Sequence, residues 1–115
     1  MWNSYKNIQT VYPNAYDRVM VILHEHSEPV IGYWIDVTYR ERHQSIDGVS
    51  FYIFKEDFDD YNTYLIGDRK FAFIEDYLQP ENKDGWNCLD VKPFWEKVVA
   101  WLPCPECDWT WSKIK

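Results

Sequence analysis

Val30-Ile31-Gly32-Tyr33-Trp34-Ile35-Asp36-Val37-Thr38-Tyr39-Arg40 is the stretch on which the fold turns. β-Branched and aromatic residues dominate it, and these suit a pleated surface better than a helix. Successive side chains of a strand point to opposite faces. Tyr33, Ile35, Val37 and Tyr39 therefore share one face, and Trp34, Asp36, Thr38 and Arg40 share the other. The first set is the more apolar, which predicts an antiparallel sheet with one face on a core and the other half-solvated.

Working outward, Asp17-Arg18-Val19-Met20-Val21-Ile22-Leu23-His24 follows Tyr12-Pro13-Asn14, and its length and branched residues predict a buried strand. Ser27-Glu28-Pro29 supplies the turn before Val30. On the other side, the polar segment 41–48 ends in Asp47-Gly48, a pair that tolerates positive φ, and leads into a strand, Val49-Ser50-Phe51-Tyr52-Ile53-Phe54. The acidic run Glu56-Asp57-Phe58-Asp59-Asp60 breaks that strand. Thr63-Tyr64-Leu65-Ile66 and Arg69-Lys70-Phe71-Ala72-Phe73-Ile74 flank Gly67-Asp68, a spacer suited to a type I′ or II′ hairpin.

Glu75-Asp76-Tyr77-Leu78-Gln79 has room for one helical turn before Pro80, and residues 80–85 read as loop. Around Asp90-Val91-Lys92-Pro93-Phe94-Trp95-Glu96 two readings stand. Either Asp90 caps a short helix whose first turn tolerates Pro93, or Pro93 marks an extended approach to a final strand from Lys97 to Leu102. Pro103 and Pro105 lack the N–H that a ladder needs and stop that strand. No repeat and no linker divides the chain. The expected architecture is one domain over residues 1–115, α+β but β-dominated, with a single small antiparallel sheet or partly open barrel and one or two short helices.

The chain of 115 residues is long enough to bury one core without a staple. Seven Trp, nine Tyr and six Phe exceed what so small a core needs, so some rings are expected on the surface as partner anchors. A net charge of −7 lacks the basic stripe that phosphate neutralisation requires, which argues against direct nucleic-acid binding. It favours a basic partner, and it is compatible with imitation of nucleic acid in a basic cleft. No apolar run of membrane-spanning length occurs, and the N-terminal residues do not read as a secretory signal, so a cytoplasmic location is expected. Three cysteines, an odd number, suit a reducing compartment better than a disulfide framework.

Two landmarks carry a family resemblance. Trp2, Tyr12-Pro13-Asn14 and Arg18-Val19-Met20-Val21 form an opening of Trp, Pro-containing turn and Val-rich strand. Val98-Val99-Ala100-Trp101-Leu102-Pro103-Cys104-Pro105-Glu106 forms an ending of Val-rich strand, Trp, apolar residue, Pro-x-Pro and Glu. Together they resemble a small domain family of unknown function, number five-five-one among such families, found mainly in bacteriophages and prophages. Gly32-Tyr33-Trp34 and Gly85-Trp86 add second-strand and later aromatics. The resemblance implies a compact β-rich fold and a phage or prophage setting in a bacterial host cell. It supplies no catalytic residues. Cys104 stands where that family has Leu and Cys107 where it has Pro, so the cysteine pair inherits no role.

Cys104-Pro105-Glu106-Cys107 has the spacing of half a zinc site, which Cys88 and one of His24, His26 or His43 would complete. The pair follows a strand rather than opening a helix, which disfavours redox catalysis. His24-Glu25-His26 alternates, so both imidazoles point to one face of a strand end. The run from Glu56 to Asp60 lacks the Gly and spacing of a calcium loop and reads as a solvated turn or an acidic contact patch. No nucleotide loop, nucleophile elbow or metalloprotease motif is present. The expected role is therefore that of a non-enzymatic accessory protein without an obligatory cofactor. It binds a partner protein through Trp34, Trp86, Trp101 and Trp109 with Asp57, Asp59 and Asp60, and its sharpest form is an inhibitor of a host nucleic-acid enzyme or defence factor. The alternatives are a zinc-stabilised module on Cys88, Cys104 and Cys107, and a virion or oligomer-forming component.

Overall fold

The computed structural model describes residues 2–24, 28–39, 43–46, 48–77 and 89–104. Among these, nine strands form two sheets: β1 (Asn3–Ser4), β2 (Arg18–Ile22), β3 (Val30–Asp36), β4 (His43–Ile46), β5 (Val49–Tyr52), β6 (Tyr64–Ile66), β7 (Arg69–Glu75), β8 (Leu89–Asp90) and β9 (Ala100–Pro103). The larger sheet runs β1-β9-β2-β3-β7-β6 and is antiparallel throughout. It curls into a half-barrel. The smaller runs β4-β5-β8, with β5 and β8 parallel. The β-dominated reading holds, but two sheets stand where one was expected. Among the described residues there is no α-helix, only single 3₁₀ turns at Tyr5–Asn7, Lys55–Asp57 and Asp60–Asn62.

β3 is the centre of the molecule. It pairs with β2 on one side, Val19 opposite Gly32, and with β7 on the other, Trp34 opposite Phe73. Its inward alternation came out as expected for Tyr33, Ile35 and Val37, which lie with Ala72 and Ile74 of β7 against Val49, Phe51, Ile53 and Phe58. The opposite face is not half-solvated. Trp34 is fully buried there in a second core with Val19, Val21, Phe73 and Trp101, closed over by Ile8, Phe94 and Val98. Both faces of the large sheet are thus covered, which explains why β3 reads as a nearly continuous apolar run until Asp36.

The turn chemistry follows backbone freedom. In the β6–β7 hairpin Gly67 has φ 65° while Asp68 stays out of the left-handed region, the pattern of a type II′ turn. Tyr16 also has a positive φ, 68°, and is pinned by its N–H donating to the Trp34 carbonyl and its hydroxyl to Gln44. The final strand begins later than expected, at Ala100, and Pro103 is its last residue, opposite Val19. β1 reaches only Ala100 and Trp101, so Pro103 sits where no neighbour demands its missing N–H. Of the two readings around Asp90, the extended one is observed: Leu89–Asp90 is a strand and Pro93 bridges Ile74. The expected helical turn at Glu75–Gln79 does not start, since Glu75 ends β7; its last two residues lie outside the described set.

Candidate partner-binding surface

Two of the four tryptophans expected as anchors are core residues. Trp34 is 0% exposed, stacked on Phe71 at 5.2 Å and tilted against Phe73 at 4.6 Å; Trp101 is 3% exposed. Neither indole reaches a partner without unfolding the sheet. The physical reason is register: both rings fall on the same face of the large sheet, in the core shared with Val19, Val21 and Phe73, where their aromatic area is buried. Trp86 and Trp109 lie outside the described residues.

The acidic run lies partly in solvent. Phe58 is fully buried and anchors the segment, Asp57 is half-buried, and Asp59 and Asp60 are exposed. Asp60 and Tyr61 begin a 3₁₀ turn whose Tyr61 ring stands free in solvent. Lys70 approaches Asp60 at 3.8 Å, an exposed pair that neutralises little.

The ring that does stand out is Trp95, 67% exposed. Its position follows from the edge of β7. β6 pairs only with Arg69 to Phe71, leaving the far half of that edge open; the chain at 92–93 fills it, with Pro93 bridging Ile74 and Glu75 N–H donating to the Lys92 carbonyl at 3.2 Å. Phe94 then turns inward over Gly32 and the next side chain, Trp95, is left outside. A shallow depression of about 570 Å³ is lined by Trp95 and Phe94, by Val30 and Ile31, and by Glu75 and Asp76.

The charge around this depression is negative. Asp76 is tied to Arg18 at 2.8 Å, with the Arg18 guanidinium 5.7 Å from the Tyr33 ring centre. Glu75 is exposed and has no cation within 4 Å among the described residues. Glu96 faces His24 at 3.3 Å. Phe94 also lines a small gap beside Tyr61, Asn62 and Glu96.

Among the described residues no group of three or more His, Cys, Asp or Glu side chains is gathered for a metal. Cys104 is buried and disulfide-bonded, and a disulfide sulfur has no thiolate to give zinc. Cys88, Cys107 and His26 lie outside the described residues.

No family model, no curated protein and no solved structure matches the chain. Fold and surface define the class: a small β-rich domain with a curled sheet and an exposed aromatic surface edged by acids. No helix among the described residues is long and apolar enough to cross a membrane. Trp95 escaped the sequence reading because it follows Phe94 outside any strand, where no alternation separates the buried ring from the exposed one. The signal that existed was Pro93, which marks where the ladder stops.

Proposed function

We propose that the protein acts by binding another protein, seating a basic segment of the partner on the depression beside Trp95. The observation that carries this reading is the exposed Trp95 indole lining one depression with Glu75, Asp76 and the apolar side chains of Val30 and Ile31. Such a ring is a rigid anchor, its face attracts Lys or Arg side chains, and carboxylates lining the same depression strengthen that preference. The net charge of −7 steers a basic partner to the encounter. The acidic run with Asp57, Asp59 and Asp60 adds to that field. The role is binding rather than catalysis.

In the phage or prophage setting suggested by the chain's opening and ending, the partner is a host nucleic-acid enzyme or defence factor, whose substrate cleft is basic by necessity. Immobilised protein challenged with bacterial lysate should capture a basic protein, and Trp95→Ala and Glu75→Lys should each lose it. Capture of nothing, or equal capture by all three proteins, removes the reading. Recovery of the chain's own second copy replaces it with the oligomer-forming role.

A further inference from the structure

The curl of the large sheet brings its two edges toward each other. Tyr5 and Lys6, directly after β1 at one edge, and Tyr64 and Leu65 of β6 at the other line a single open cleft of about 660 Å³. Ile8 also lines it, and Lys70 and Lys97 complete the wall. That volume lies within the range of sites for small organic molecules, about 300–1,000 Å³.

The sign of the charge inverts here. In a chain of net charge −7, the cleft holds three lysines and a single carboxylate, Asp60. Asp60 is nearly fully exposed and 3.8 Å from Lys70, a weak counter-charge. Lys6 and Lys97 have no carboxylate within 4 Å among the described residues. The Lys97 ammonium is instead held 4.7 Å from the centre of the Tyr5 ring, which fixes its place without cancelling its charge.

The cleft is also lined by phenols. Tyr64 is pushed up to about 12, by burial first and by neighbouring Tyr5 second, so it remains a neutral hydroxyl able to donate a hydrogen bond. Tyr61 is 66% exposed at the rim and free to turn its face to a planar ring. The three ammonium groups meet an anion as point charges, a mode by which lysine serves phosphate, whose charge of about −1.5 to −2 at neutral pH exceeds that of a carboxylate.

We propose that this cleft between the sheet edges binds a phosphate-bearing aromatic small molecule of mononucleotide size, with the phosphate on Lys6 and Lys97 and the ring against Tyr61. A long polyanion is disfavoured, because the cleft is bounded and the rest of the surface repels it. The site is separate from the Trp95 depression, so it stands or falls independently of partner binding.

The test is calorimetric titration of the full chain with nucleoside 5′-monophosphates of each base, and with a nucleoside, inorganic phosphate and a short single-stranded oligonucleotide as separate arms. A monophosphate should bind saturably, more tightly than nucleoside or phosphate alone. Lys6→Ala combined with Lys97→Ala should weaken it by about tenfold or more, while Lys6→Arg retains it. Trp95→Ala should leave it unchanged. Absence of saturable binding at millimolar concentration overturns the proposal, as does indifference to the double substitution in a variant that melts like the parent. An oligonucleotide that binds more tightly than every monophosphate overturns it in favour of single-stranded nucleic acid.

Discussion

Phe94 packs on the bare backbone of Gly32: a β-carbon built at residue 32 would stand 2.6 Å from Cζ and 2.7 Å from Cε2 of that ring, and would also strike the Ile74 carbonyl oxygen. The carbonyl cannot yield, since Ile74 is held in the β3–β7 ladder. Gly32→Ala is therefore expected to cost about 1–3 kcal/mol through overpacking and to lower the melting temperature by at least about 4 °C. Because the displaced ring precedes Trp95, the same variant should weaken partner capture. A melting curve superimposable on the parent would show that Phe94 is not seated there.

Trp34 and Trp95 should behave as opposites. Truncating Trp34 empties a site enclosed by Phe71, Phe73 and Tyr64, and Trp34→Ala should cost about 3–5 kcal/mol in denaturant unfolding. Trp95→Ala should stay within about 0.5 kcal/mol of the parent while abolishing capture of a basic partner. Equal stability losses at the two positions would mean that Trp95 is a core residue too.

Asp36 sets an acid limit. Its partial burial opposes the charged form, but hydrogen bonds from Thr38 and the Arg69 guanidinium outweigh that and hold the carboxyl below its ordinary value of 3.8. A carboxyl lowered on folding contributes stability that is present above its unfolded value and is lost as pH falls through the folded one. Chemical unfolding followed from pH 6 downward should thus show a loss below about pH 4. Asp36→Asn should be less stable than the parent at pH 7, by about 1 kcal/mol, and should show a smaller loss on acidification. Identical acid slopes in the two proteins would place the titration elsewhere.

Cys104 offers a chemical count. Of the three cysteines, its disulfide uses two, so the unreduced protein should present a single titratable thiol and the reduced, denatured protein three. Reduction should lower stability by about 2–4 kcal/mol, whereas a chelator should leave the melting temperature where it was. Stoichiometric zinc, with melting lowered by the chelator, would instead support the zinc-stabilised module.

The elements legible in the sequence are those whose cause is local. Gly67-Asp68 marked its hairpin because a type II′ turn needs positive φ at its first central residue, and Val30 to Asp36 marked a strand by its branched and aromatic residues. β4 was passed over, because His43-Gln44-Ser45-Ile46 has one apolar side chain; its strand state comes from pairing with β5 across the Gly48 turn. That turn was itself the available signal, since a tight hairpin implies a strand on both sides. The two-residue strands β1 and β8 carry no periodicity at all. On β3 the misjudged face followed from weighting Asp36 and Thr38, which sit at the sheet's end, over Trp34 at its centre. The lysine–tyrosine cleft joins residue 5 to residue 97 through curvature, and no spacing along a chain encodes that.

The short replacement of β6 by Lys92–Pro93 along β7 also makes that border of the sheet sterile. A residue without an N–H cannot pass the ladder on, so this margin does not template a further strand, whether from a second molecule or from a misfolded one. On that side of the large sheet, growth is confined to the outer margin of Tyr64–Ile66, about 10 Å of backbone by the rise of a strand. Such a margin is too short to seed a fibril, yet long enough to hold three residues of an incoming chain.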